Sequence, residues 1–240
     1  MQNNFRASDS IMRIATASAL ALWLIASGSA LPARADLASE PSCRDATVTA
    51  LQQRYESAKD LRADIVQTTS SVALGATASE QMTSKGTVVF AKPGKMRWSY
   101  EEPEPSLVAS DGTTLWIYDP TFREAQKFPA TEGYLSGAAI QFLLGEGAIE
   151  RDFEISALRC EAAIAELRLQ PRKPSSYEKL HIVVNPQTGD LLKTTVFFVL
   201  GNVTEVAFSN MELNTDPAES LFRFDPPADV RVIELDEPVR

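Results

Sequence analysis

The clearest pattern in the chain is a series of short apolar runs between residues 86 and 127, each followed by residues that favour turns. The separating segments are Lys92-Pro93-Gly94, the prolines at 103 and 105, Asp111-Gly112 and Asp119-Pro120. Glycine and aspartate supply turn backbone and proline ends a strand ladder, so the pattern predicts a β-meander. Met96, Trp98 and Tyr100 alternate with polar residues, which places them on one large apolar face. What covers that face decides what the protein does.

Strand-like alternation continues on both sides of the meander. It is found in residues 61–69 and, after the meander, in residues 149–156, 163–170, 180–184, 191–200 and 203–211. Tight turn signals such as Gly201-Asn202 join most of these runs, and tight turns make neighbouring strands antiparallel. About ten or eleven strands joined in this way predict a mainly β fold that closes into a barrel or a strongly curled sheet.

Two segments have the pattern of helices. Residues 46–58 carry one apolar stripe formed by Val48, Leu51 and Tyr55. Residues 134–144 are apolar on most sides and are bracketed by glycines. A helix that is apolar all round is buried on more than one side, so the second helix is either an ordinary core helix or a lid over a cavity.

The first 35 residues have the pattern of a secretory signal peptide. Arg6 and Arg13 precede an apolar run over residues 14–26, and Ala33-Arg34-Ala35 is a cleavage pattern. The apolar run is short for a membrane span, although an N-terminal anchor is the alternative. We therefore expect an exported protein in which residues 36–240 form a single domain.

Charge and cysteine content narrow the environment. The formal net charge is −9, and removal of the basic leader makes the remaining chain more acidic still. Such a chain repels phosphates, which argues against nucleic acid and against unassisted docking on anionic lipid, and it leaves a local basic patch open as an alternative. Cys43 and Cys160 are the two cysteines, and an even count in an exported chain predicts one disulfide, with two free thiols as the alternative.

The sequence offers little catalytic chemistry. His181 is the single histidine, and it lies within a strand-like run where a packed or surface residue is the more common case. No nucleophile motif, metal-ligand spacing or phosphate-binding loop is found in the sequence. We therefore expect no enzyme activity, no metal and no cofactor, and a hydrolase using aspartate and glutamate is a minor alternative.

The meander resembles the family of periplasmic lipoprotein carriers, LolA. The matching motifs are Gly86 followed by a basic residue and Pro93, then Trp98, Pro103, Leu107-Val108-x-Ser110-Asp111-Gly112, and Leu115-Trp116-x-Tyr118-Asp119-Pro120. The C-terminal segment Phe222-x-Phe224-x-Pro226-Pro227-x-x-Val230 is also similar to the family, as are the helix at 46–58 and the strand that follows it. The likeness extends in order over nearly all of the chain after the leader.

The resemblance implies a half-open antiparallel β-barrel of about 11 strands, with helices forming a lid over an apolar cavity. It implies a periplasmic chaperone, monomeric, that takes acylated lipoproteins from an inner-membrane ABC lipoprotein-releasing complex and delivers them to an outer-membrane receptor. The alternative on the same fold is a lipid- or glycolipid-binding accessory, or a module that senses envelope stress without moving its ligand.

Candidate site residues follow from the same resemblance and from the apolar pattern. The residues expected to line the lipid cavity or its lid are Phe90, Met96, Trp98, Tyr100, Trp116, Leu135, Ile140, Phe142 and Leu143. Lys92 stands where the family has a basic residue, usually arginine, that is important for lid closure and transfer. Lysine lacks the planar fork of arginine, so Lys92 is either a less specific equivalent or an ordinary edge lysine.

Overall fold

A computed structural model describes residues 40–71, 80–130 and 149–235 of the 240-residue chain. The predicted signal peptide and the predicted helix over residues 134–144 lie outside the described residues.

Twelve strands and two α-helices make up the described structure. The helices are α1 (Glu40–Ser57) and α2 (Ile149–Asp152), with a 3-10 helix at Glu219–Phe222. The strands are β1 (Asp60–Ser71), β2 (Glu80–Ala91), β3 (Lys95–Glu102), β4 (Ser106–Asp111), β5 (Thr114–Asp119), β6 (Glu124–Pro129), β7 (Phe153–Cys160), β8 (Ala165–Pro171), β9 (Tyr177–Val184), β10 (Leu191–Phe198), β11 (Val203–Leu213) and β12 (Arg231–Glu234).

All twelve strands belong to one sheet. Their order is β12-β6-β5-β4-β3-β2-β1-β11-β10-β9-β8-β7. Neighbours are antiparallel except β12, which pairs with β6 in parallel. The order has two separate ends, β12 and β7, so the described sheet is open. The predicted half-open antiparallel barrel is therefore confirmed, with one strand more than expected.

Strand register explains why one face of the sheet is apolar. Leu61 of β1 lies opposite Phe90 of β2, which lies opposite Met96 of β3. Residues directly opposite one another point to the same face, so each such row adds side chains to a common surface. Ala63 and Trp98 belong to the next row, two residues along each strand. We call this surface, which carries the main buried core, the inner face.

Helix α1 covers part of the inner face. Val48, Leu51 and Tyr55, which form its predicted apolar stripe, are all buried. The Tyr55 hydroxyl donates to the sulfur of Met211 at 3.2 Å and accepts the backbone N–H of Leu191 at 3.1 Å. These contacts fix one side of the helix on β10 and β11. The helix is longer at its start than the predicted 46–58.

The predicted disulfide is present. Cys43, near the start of α1, is bonded to Cys160, the last residue of β7, and their Cα atoms are 6.3 Å apart. The bond therefore joins the first helix to an end strand of the sheet. The strand predicted at residues 149–156 begins later than expected, because Ile149–Asp152 forms the helical turn α2 before β7.

Candidate functional site

Three of the predicted lining residues meet on the inner face. Phe90, Met96 and Trp98 are 1%, 4% and 8% exposed, which leaves them almost no contact with water. The rings of Phe90 and Trp98 meet edge to face, with centroids 6.1 Å apart. Tyr100 continues the line of side chains, its ring 6.1 Å from that of Trp98, and it is half-buried. The alternation in β3 alone predicts the shared face of Met96, Trp98 and Tyr100. Phe90 joins them through the pairing of β2 with β3.

Trp116 does not belong to this group. It lies opposite Ala109, and Ala109 lies opposite Arg97, a row that points away from Met96 and Trp98. Its ring packs on Phe224 at 5.6 Å, on the outer face of the sheet. Trp116 therefore does not lie on the apolar face where it was expected, because the inner positions of β5 are those of Leu115 and Ile117. The apolar side chain of Trp116 does not by itself indicate which face of the sheet it occupies.

The remaining candidates are the four apolar residues of the predicted lid. Leu135, Ile140, Phe142 and Leu143 lie outside the described residues, so their place in the lining stays a prediction.

A polar ladder continues the inner face beyond Tyr100. The Tyr100 hydroxyl donates to the side-chain oxygen of Gln67 at 2.8 Å. The Gln67 amide nitrogen lies 3.5 Å from the hydroxyl of Thr69, which lies 3.4 Å from that of Thr204. Glutamine and threonine side chains carry no charge, and burial raises the pKa of Tyr100 to about 12. All four side chains are therefore uncharged at neutral pH. We call Tyr100, Gln67, Thr69 and Thr204 the neutral ladder.

The residue pattern alone does not predict the neutral ladder. Gln67 and Thr69 occupy inner positions of β1, after Ala63 and Ile65, where the apolar alternation gives way to polar residues. This change along β1 is the one available signal. Thr204 joins the ladder because β11 pairs with β1 across a long stretch of sequence, and no local pattern reveals that pairing.

Lys92, which directly follows β2, lies next to the C-terminal end of helix α1. Its ammonium group donates to the backbone oxygens of Tyr55 at 2.7 Å and Glu56 at 3.2 Å. The last carbonyls of a helix have no partner within the helix, and they carry partial negative charge that favours a cation. Burial lowers the pKa of Lys92, and the charge of Glu56 partly offsets this. The residue therefore contacts the covering helix, although not through a planar fork.

The outer face carries a groove of a different character. It has a volume of about 580 Å³ and lies between the sheet and the segment that follows β11. Arg62, Arg97 and Glu212 contribute charged walls, and Arg97 donates to the backbone oxygen of Leu221 at 3.1 Å. Charged walls would have to be desolvated against a hydrocarbon chain, so this groove does not suit one.

His181 is placed as a packed residue. Its ring lies 4.7 Å from that of Phe197, and its Nδ1 is 3.6 Å from a carboxylate oxygen of Glu166. Burial lowers the pKa of His181. Within residues 40–71, 80–130 and 149–235, no group of three or more His, Cys, Asp or Glu side chains could hold a metal ion. Over these same ranges, no helix is long and apolar enough to cross a bilayer.

The chain is similar to proteins of a known family. A family model described as outer membrane lipoprotein carrier protein LolA matches residues 56–225. The chain is similar to the outer-membrane lipoprotein carrier protein of Nitrosospira multiformis, with 31% identity over 189 residues, 78% of this chain and 87% of that protein. With the protein of the same name from Chromobacterium violaceum it shares 28% identity over 212 residues, 88% of this chain and 94% of the relative.

Solved structures resemble the fold at low sequence identity. An uncharacterized conserved protein from Thermus thermophilus has a TM-score of 0.50 and 9% identity, covering 80% of this chain and 98% of that one. A LolA superfamily protein from Nitrosomonas europaea has a TM-score of 0.41 and 14% identity, covering 75% and 97%. The family model spans well over half of the chain. The chain therefore belongs to the LolA family of outer-membrane lipoprotein carrier proteins.

Proposed function

We propose that this protein is a periplasmic carrier that binds the acyl chains of lipoproteins on its inner face. The observation that carries the proposal is the line of buried apolar side chains formed by Phe90, Met96 and Trp98 inside an open barrel. An acyl chain exposed to water costs about 0.8 kcal/mol per methylene, so about 10 kcal/mol for a long chain. A lipoprotein therefore needs an apolar partner to cross an aqueous compartment.

The proposed partners follow from the family. An inner-membrane ABC complex would load the carrier with acylated lipoproteins, and an outer-membrane receptor would unload it. Loading and release by one site require two states of similar free energy, which a helix competing with the lipid for the same wall would provide. In this proposal Lys92 biases the balance, because it holds the end of the helix that covers the inner face.

Two measurements test the carrier function. We expect delipidated protein to bind a fluorescent acyl probe saturably, and depletion of the protein in cells to leave lipoproteins on the inner membrane. Lack of saturable binding would exclude an acyl site altogether. Binding without any sorting defect would instead favour an accessory or sensing module of the same fold.

Replacing Lys92 by methionine should favour the lipid-bound state. The change removes two hydrogen bonds to the end of α1, worth about 1 kcal/mol together at a half-exposed site, and leaves the apolar stem. If the helix competes with the lipid, acyl probe affinity rises by about fivefold in Lys92→Met. The Lys92→Arg variant keeps the charge and should stay near the wild-type affinity. Probe titration measures the three affinities. If they are equal, Lys92 does not influence the equilibrium between the empty and the lipid-bound state.

A further inference from the structure

The indole nitrogen of Trp98 is a buried donor without a partner. Trp98 is 8% exposed, and its Nε1 has no hydrogen-bond acceptor among the described residues. An indole nitrogen can only donate, and a buried donor left unpaired costs about 1–3 kcal/mol. Natural proteins keep few such groups, so this one calls for a physical explanation.

The surroundings of this donor change from apolar to polar in one direction. Toward the start of β3 lie Met96 and its partner Phe90, which belong to the apolar row that begins at Leu61. Toward the end of β3 lies Tyr100, the first member of the neutral ladder. From its partner Gln67, the ladder continues along the inner positions of β1 to Thr69. A β-strand rises about 3.3 Å per residue, so the ladder reaches on the order of 20 Å along β1 beyond the row of Trp98. The Trp98 side chain, which carries the donor, therefore lies at the boundary between the apolar wall and the neutral polar wall.

A ligand that matches this boundary has a hydrocarbon part and an uncharged acceptor next to it. Esters and amides of fatty acids have this form, since the carbonyl oxygen accepts hydrogen bonds and carries no charge. The ladder offers them further hydroxyl and amide groups, because Gln67 has two amide hydrogens and each threonine hydroxyl can rotate. A carboxylate or phosphate at this place would find no charged side chain in the ladder to stabilise it.

We propose that Trp98 Nε1 and the neutral ladder form a carbonyl-binding subsite on the inner face, which takes the ester or amide linkage of an acylated ligand. This inference rests on the proposed acyl-binding function and adds to it a preference for the linkage. Trp98 donates to the carbonyl oxygen, while Tyr100 and Gln67 line the side from which the polar part of the ligand leaves.

A matched pair of probes tests the subsite. One is a fluorescent diacyl lipid with ester linkages, and the other is a dialkyl lipid of equal chain length in which ethers replace the esters. In the delipidated full-length protein, Trp98→Phe should weaken binding of the ester probe by about tenfold, the value of one buried hydrogen bond, and that of the ether probe by less than about twofold. Trp116→Phe makes the same chemical change on the outer face and should leave both affinities unchanged.

A second measurement does not depend on how well Trp98→Phe folds. The indole N–H resonance of Trp98 in the wild-type protein, assigned with the help of Trp23→Phe and Trp116→Phe, should move downfield with the ester probe and much less with the ether probe. Equal losses for the two probes, or equal shifts of the resonance, would overturn the subsite and leave the carrier function standing. If neither probe binds the wild-type protein, the acyl-binding function fails and the subsite fails with it.

Discussion

Replacing Cys43 and Cys160 together by serine should lower the free energy of unfolding by about 4 kcal/mol. The bond joins residues 117 apart in sequence, and a cross-link across so long a loop removes much of the entropy of the unfolded chain. The structural consequence is local, because the bond ties the start of α1 to the end of β7. A loss of this size is a large part of the stability of an ordinary domain.

Urea unfolding of the double variant and of the wild type measures this loss. Treatment with a reducing agent provides the control, since it should destabilise the wild type by the same amount and leave the double variant unchanged. If the two proteins unfold at the same urea concentration under oxidising conditions, the bond contributes nothing and the first helix is held by its packing alone.

The alternation of apolar and polar residues predicts the strands and which residues share a face. It does not predict which of the two faces is the inner one. In β3, the pattern of Met96, Trp98 and Tyr100 predicts both the strand and the shared face, because strand geometry allows no other arrangement. Trp116 shows the limit of the same rule. The rule states that neighbours point to opposite faces, but which face is the inner one depends on register with strands that are distant in sequence.

Apart from the disulfide, contacts between segments distant in sequence could not be predicted, for a related reason. Lys92 was identified as a candidate by its position before a proline, yet its partners are backbone oxygens, which no residue pattern marks. The neutral ladder depends on the pairing of β1 with β11. The disulfide could be predicted because a chain that is expected to be exported and has two cysteines offers one intramolecular pairing.

Besides the Tyr55 hydroxyl, which bonds to β10 and β11, helix α1 is held at three places along its length. The disulfide fixes its start, Lys92 binds its last carbonyls, and its middle lies against the turn between β9 and β10. An ion pair joins Arg54, in the last turn of the helix, to Asp190 of the same turn between β9 and β10. Since the inner face is shared by α1 and, in our proposal, by the acyl chains, the tightness of these attachments sets how much of the face a ligand can reach.

The middle attachment depends on Gly189, and Gly189→Ala should destabilise the protein by about 3 kcal/mol, part from its backbone conformation and part from crowding. Its φ is +73°, where a Cβ is unfavourable, and a Cβ there would lie 2.4 Å from the backbone oxygen of Ala50 in α1. Neither the turn nor the helix backbone can yield as a flexible side chain would. The helix would therefore have to move away from the sheet.

Gly94→Ala separates the two causes of this loss. Gly94 has a similar φ of +65°, but its added Cβ would meet the nearest atom, the Cα of Gly112, at an ordinary 3.4 Å. Its cost should therefore be about 1 kcal/mol, from the backbone alone. Hydrogen exchange supplies the second readout, because only Gly189→Ala should increase exchange within α1. Equal losses of stability in the two variants, with α1 equally protected, would mean that the turn does not hold the helix. In that case the disulfide, the Tyr55 hydrogen bonds and Lys92 would be left as its attachments, and Gly189→Ala would leave acyl probe affinity unchanged.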